Sequence, residues 1–121
     1  MNKMKLANKP EEIADFFVDY INSGNIDGIV SLYEDKAVLI INAEKVIANG
    51  RDEIRAYYSK LLANKPKFEK GEQRPAILNG DIALTSTRLI NGFVTAEVAR
   101  KQTDGSWRWF IDQPRIATEQ I

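Results

Sequence analysis

Two carboxylates in the last third of the chain, Glu97 and Asp112, stand inside runs that otherwise read as strand, Thr95 to Gln102 and Ser106 to Gln113, joined at Asp104-Gly105. Asp-Gly between half-apolar runs is a strong hairpin signal, because glycine accepts the positive φ that the turn demands. An acid as deep in an apolar strand as Asp112, closing the run Trp107-Arg108-Trp109-Phe110-Ile111-Asp112, requires a reason. The turn allows two registers. A two-residue loop sets Thr103 against Ser106 and counts back to Glu97 opposite Asp112, on one face with about 5 Å between Cβ atoms. Acids that close share a proton near neutrality, which is how a carboxyl pair serves as both acid and base. A three-residue loop with Gly105 left-handed sets Glu97 against Ile111, so the two acids face opposite ways. The expectation drawn from that second register is a pocket in which Asp112 stands with Val98 and Phe110, while Glu97 lies outside it or at its rim.

Other groups could contribute, each with a plainer role beside it. The sequence contains neither histidine nor cysteine, so acid/base chemistry falls to carboxylates, tyrosines or lysines, and thiolate and imidazole metal sites are excluded. No metal and no cofactor is expected. Tyr20, Tyr33, Tyr57 and Tyr58 occupy apolar helical stripes, where a tyrosine is either packing or a polar handle on a cavity wall. By position, Tyr20 and Tyr57 are the pair expected to line the pocket. Thr85 and Thr87, or Ser86 and Arg88 in the other parity, could also face a ligand, and Arg88, Arg100 or Arg115 could hold Asp112 in an ordinary ion pair. Trp107 and Trp109 alternate onto one face as core or subunit-interface residues. Gly50-Arg51-Asp52-Glu53 is helix-start chemistry, with acids near the positive end of the dipole, and not a phosphate loop.

These groups need a scaffold, and 121 residues supply one domain. Seventeen basic residues balance seventeen acidic ones and are interleaved with them, so no stripe suits nucleic acid or an anionic membrane. No run approaches a membrane span, and a soluble cytoplasmic protein is expected. Ile13, Phe16, Phe17, Tyr20 and Ile21 recur at helical spacing between Pro10 and Gly24. Asn25 caps a second, shorter helix that carries Ile26, Ile29, Val30, Leu32 and Tyr33 before Glu34-Asp35-Lys36 turns the chain. Ala37 to Ile41 and Lys45 to Ala48 read as short strands around Asn42-Ala43-Glu44, and Asn49-Gly50 opens a third helix with Ile54, Tyr57, Tyr58, Leu61 and Leu62 on one side. Beyond Pro66 the expectation is four strands, Lys67 to Leu78, Asp81 to Ile90, Phe93 to Gln102 and Ser106 to Gln113, parted by Asn79-Gly80, Asn91-Gly92 and Asp104-Gly105, with the chain breaking at Pro114. Helices first and a long antiparallel meander afterwards give an α+β domain whose sheet folds over the helices, with its core at about residues 10–114.

Three segments carry a family resemblance. Asn22-Ser23-Gly24-Asn25-Ile26-Asp27-Gly28-Ile29-Val30-Ser31-Leu32-Tyr33-Glu34-Asp35-Lys36-Ala37, Ala48-Asn49-Gly50-Arg51-Asp52-Glu53-Ile54 and Gln102-Thr103-Asp104-Gly105-Ser106-Trp107-Arg108 resemble the nuclear transport factor 2-like superfamily, with its SnoaL-like and ketosteroid isomerase-like domains nearest in likeness. The resemblance implies a cone-shaped roll of the cystatin-like kind, three helices wrapped by a strongly bent, mostly antiparallel sheet around a pocket, and pairing of chains through their sheets. In ketosteroid isomerases a tyrosine on the first helix and an aspartate on the first strand do the work; the matching positions here are Phe17 and Ile41, which cannot move a proton. That family's protonated acid on the penultimate strand matches Glu97 best, and one residue of slippage at the turn would put Val98 there instead. SnoaL-type cyclases place an aspartate late in the final strand, matched by Asp112, and a histidine on the strand before, which falls near Val98; this likeness favours the second register. The resemblance therefore makes Asp112 the first catalytic candidate and Glu97 the second. It implies a homodimer that binds a small apolar or amphipathic molecule, as a cofactor-free isomerase, cyclase or dehydratase or as a non-catalytic ligand-binding or dimerisation module.

Overall fold

The computed structural model describes residues 6–41 and 47–118. The first helix, α1, spans Glu12–Ser23 and ends because Gly24 turns left-handed at φ 70°, which lets the Asn25 N–H bond back to the Tyr20 carbonyl at 2.9 Å. Asn25 then caps α2 (Ile26–Ser31), its side-chain oxygen accepting from the Gly28 N–H at 2.9 Å. Gly28 is where the two helices touch. A Cβ built on it would stand 2.6 Å from Tyr20 Cδ1, so Gly28→Ala is expected to lower stability by about 1–3 kcal/mol in chemical denaturation, whereas Gly24, with open space around it, suffers only from its left-handed backbone.

The chain after α2 departs from the helix expected through Tyr33. Tyr33 instead opens β1 (Tyr33–Ile40), and Glu34-Asp35-Lys36 lie within that strand rather than in a turn. Long-range pairing overrides the local pattern here: Tyr33 faces Trp109 in parallel pairing with β8, and the Trp109 N–H donates to the Leu32 carbonyl at 2.8 Å. A hairpin joins β1 to β2 (Ile47–Asn49), although the turn expected at Asn42-Ala43-Glu44 lies outside the described residues. The third helix, α3 (Gly50–Leu62), carries Asp52 and Glu53 in its first turn, and Glu53 Oε1 accepts from the Asn49 N–H at 2.8 Å.

The long strand expected at Lys67 to Leu78 is only β3 (Glu72–Gln73) and β4 (Ile77–Asn79), because Pro75 removes a donor and Gly71 lies against the Arg88 carbonyl, 2.6 Å from where a Cβ would be. Asp81 to Ile90 likewise divides into β5 (Ile82–Thr85) and β6 (Thr87–Arg88) at Ser86, whose hydroxyl donates to the Thr95 carbonyl at 2.7 Å. Strand β7 (Phe93–Lys101) pairs with β5 along one half and with β6 along the other, which bends the sheet. Strand β8 (Trp107–Thr118) runs on through Pro114, at a register irregularity where a missing N–H is tolerated, and so does not break there.

The sheet order is β2-β1-β8-β7-β5-β4, with β6 beside β7 and β3 beside β6; β1 and β8 are parallel and the other pairs antiparallel. This is the α+β roll expected, three helices against the concave side of one large sheet. Ile13, Ile21, Ile29, Leu32 and Ile54 pack there on Tyr33, Leu39, Trp107 and Trp109, so both tryptophans belong to the core. No helix among the described residues is long and apolar enough to cross a membrane.

Candidate functional site

The β7–β8 hairpin sets the site. Its loop is Thr103-Asp104-Gly105: the Gln102 N–H donates to the Ser106 carbonyl at 2.7 Å, and Gly105 is left-handed at φ 87°. Asp104 Oδ1 accepts from the Ser106 hydroxyl at 2.6 Å and the Ser106 N–H at 2.8 Å, which holds its carboxyl below the ordinary value, the hydroxyl bond contributing most. From this loop Lys101 faces Trp107, Arg100 faces Arg108 and Ala99 faces Trp109, a course that would bring Glu97 opposite Ile111. A bulge intervenes. Val98 faces Ile111, leaving Phe110 as an extra residue on β8, and beyond it Glu97 stands directly opposite Asp112. The turn is therefore that of one expected register and the pairing that of the other.

The bulge also sorts the faces. Glu97 and Asp112 both join Trp109 on the inner side, each only 4% exposed, so Glu97 is not at a rim. Phe110 is displaced to the outer side, where the Arg100 guanidinium lies 4.3 Å over its ring, and Val98 belongs to the same outer surface; the cavity lining includes neither. Tyr20, the other expected lining residue, packs on Gly28 instead and does not reach the cavity. Tyr57 does line it, its ring 5.0 Å from that of Tyr58 in an edge-on contact.

Beneath the two acids lies a network of hydroxyls. The Tyr33 hydroxyl donates to Asp112 Oδ2 at 2.5 Å and lies 2.9 Å from the hydroxyl of Tyr58. Thr85 Oγ1 donates to Glu97 Oε1 at 2.7 Å, and Thr95, whose Oγ1 accepts from the Thr87 N–H at 2.9 Å, also bonds to the Glu97 carboxyl. Burial disfavours charge on both acids. It pushes Glu97 up to about 8, with the Asp112 carboxylate adding repulsion and Thr95 and Thr85 opposing the rise. It pushes Asp112 up to about 7, against the lowering effect of the Tyr33 bond. Burial and the nearby Asp112 charge raise both tyrosines well above their ordinary value, so both stay protonated.

The cavity above this floor holds about 310 Å³, within the range of small-molecule sites. Phe17, Leu39, Leu61, Phe68, Leu89 and Phe93 form apolar walls, and the exposed Asp15, Glu69, Lys70 and Arg115 stand at the mouth. Among the described residues no group of three potential metal-ligating side chains is assembled. What the arrangement can do is hold an apolar molecule against two adjacent carboxyl groups that titrate near neutrality. Sequence reading overlooked Thr95 and placed Tyr33 on a helix; the one available signal for Tyr33 was its position behind a very short apolar helical run.

No protein-family model and no curated protein matches this sequence. Solved structures do match in shape. A putative calcium/calmodulin-dependent protein kinase type II association domain from Thiobacillus denitrificans is 17% identical, with 90% of this chain and 95% of that one covered and a TM-score of 0.69. A ketosteroid isomerase-like protein from Erwinia carotovora is 21% identical, covering 88% and 93% at a TM-score of 0.65. An NTF-2-like protein of unknown function from Shewanella oneidensis is 18% identical, covering 84% and 91%, also at 0.65. At such identities the likeness concerns the fold.

Proposed function

We propose, starting from a chain that carries the nuclear transport factor 2-like fold, that the protein binds a small, largely apolar or amphipathic carbonyl compound and moves a proton on it, as an isomerase, cyclase or dehydratase. The observation that carries this reading is the pair of buried carboxyl groups, Glu97 and Asp112, facing each other across β7 and β8 at the floor of an apolar cavity. Near neutrality such a pair retains one proton, so one member takes a proton from the carbon next to a carbonyl while the other donates. The resemblance matches Phe17 and Ile41 to the tyrosine and aspartate of ketosteroid isomerases, and neither can move a proton, which supports a reading in which the acids of β7 and β8 do the work. The protein's own residues supply both proton donor and acceptor in this scheme, and no cofactor takes part in it.

Deuterium exchange tests this directly. In D₂O the protein is expected to accelerate loss of the α-protons of 2-tetralone, followed by proton NMR, at least about 100-fold over buffer, the low end of what one positioned acid/base group contributes. The rate should be bell-shaped in pH, with flanks near the raised values of the two acids, about 7 and 8. Exchange no faster than in buffer across that range would remove the catalytic reading.

A second role is favoured by the outer surface of the sheet. Ile77, Leu84, Val98 and Ile111 are successive register partners across β4, β5, β7 and β8, and form one apolar row that points away from the helices. We infer that a second copy of the chain covers this row, making the protein a homodimer; the likeness to a domain described as an association domain agrees with this.

A further inference from the structure

Asp112, Tyr33 and Tyr58 stand in a line, 2.5 Å and 2.9 Å apart, with Asp112 and Tyr58 on the cavity wall and Tyr33 behind them. The protons in this line can be counted. An ionised carboxylate only accepts, so the single proton of Tyr33 is directed to Asp112. The Tyr33 oxygen must then accept from Tyr58, since two buried oxygens 2.9 Å apart with no proton between them repel each other. Tyr58 thus turns its only proton away from the cavity and offers the ligand lone pairs alone. A proton on Asp112 allows the line to reverse: Asp112 donates to Tyr33, Tyr33 to Tyr58, and Tyr58 into the cavity.

We propose that Tyr58 determines ligand specificity, and that Asp112 sets its hydrogen-bond polarity through Tyr33: a hydroxyl ligand is held while Asp112 is ionised, and a carbonyl ligand is held while Asp112 carries a proton. This rests on the cavity being a ligand site, as proposed above, and adds the class of group that its floor recognises. Other titratable groups facing the line are Glu97 on β7 and Tyr57 on α3. Glu97 is bonded to Thr85 and Thr95 and to neither tyrosine, so its charge moves the pH at which Asp112 titrates without reversing the line. Arg51 on α3 bonds the Tyr33 backbone carbonyl, at 2.9 Å and 2.6 Å, and Asp35, at 2.9 Å, while α1 contributes Phe17 and β5 contributes Thr85, which do not titrate.

A matched pair of probes tests the proposal: 2-tetralone, which only accepts, and 2-tetralol, which also donates, with affinities measured by NMR titration at pH 6 and pH 9. Uptake of one proton changes affinity by up to about tenfold per pH unit, so the ketone-to-alcohol affinity ratio should fall at least about tenfold over this interval. In Tyr33→Phe the line is cut and the fall in the ratio should shrink severalfold, leaving only the direct effect of the two acids on the cavity floor, with both probes still bound; Tyr58→Phe should do the same. A ratio that stays constant in the unaltered protein, or that falls as far in both variants as in the unaltered protein, overturns the inference and leaves the ligand cavity standing. Failure of both probes to bind overturns the ligand-site reading and the inference with it.

Discussion

Glutamine in place of Glu97 should stabilise the protein at pH 8 and, in the same molecule, remove its proton transfer. Both effects come from one cause. The carboxyl of Glu97 is raised from its ordinary value to about 8, by burial first and by the Asp112 charge second, so the folded state holds a proton that the unfolded chain has already released. The stability due to this group is fully present below the unfolded value, near pH 4, and is lost as pH rises towards 8; Asp112, raised to about 7, acts in the same direction over a slightly narrower range. Glutamine keeps the shape and cannot ionise. Denaturant titrations should therefore find Glu97→Gln and the unaltered protein nearly equal at pH 4.5, with the variant ahead by on the order of a few kcal/mol at pH 8. Exchange of 2-tetralone protons should fall by about 100-fold or more in both Glu97→Gln and Asp112→Asn. A Glu97→Gln stability curve that runs parallel to that of the unaltered protein would mean that Glu97 is not protonated in the folded state.

Lysine at both Leu84 and Val98 should convert a dimer into a monomer while leaving the cavity as it is. The two residues are register partners in the middle of the outer row, between Ile77 and Ile111, and neither lines the cavity. Ile77 is 67% exposed, Leu84 46% and Ile111 38%, a degree of apolar exposure that a lone domain has reason to cover. Burying two unpaired ammonium groups at a subunit interface costs several kcal/mol, so the dissociation constant should rise about a hundredfold or more. Sedimentation velocity at micromolar concentration reads the result: a dimer for the unaltered chain and a monomer for the double variant, with 2-tetralone exchange retained. A monomeric unaltered chain would leave the exposed row without its proposed partner.

Much of the scaffold was legible because its punctuation is local. Gly24 and Asn25 mark the end of one helix and the start of the next through their own backbone and side-chain geometry, and Asn79-Gly80, Asn91-Gly92 and Asp104-Gly105 each part strands at a glycine with positive φ. The errors lie where distant chain decides. Tyr33 satisfies a helical stripe and a strand start equally well, and only its partners Trp109 and Asp112, far along the sequence, choose between them. In the last strand, strict alternation from Trp107 and Trp109 puts Phe110 and Asp112 together on the other face, and the three-residue loop sets Val98 against Phe110 there. One bulged residue at Phe110 reverses that parity, and a bulge inside a run of β-formers leaves no mark in composition. The resemblance pointed to Glu97 and Asp112 separately, from two different enzyme types; that they meet is a property of the folded hairpin.

The account depends on these two acids sharing a proton in the folded protein. Carboxyl ¹³C NMR of protein labelled at Asp and Glu side chains, titrated from pH 3 to 10 and assigned with Glu97→Gln and Asp112→Asn, measures this most directly. The predicted result is that Glu97 and Asp112 both titrate well above the other carboxyl groups, near 8 and 7, and that removing either one lowers the midpoint of the other. Both groups titrating near pH 4, each unmoved by loss of its neighbour, would contradict it.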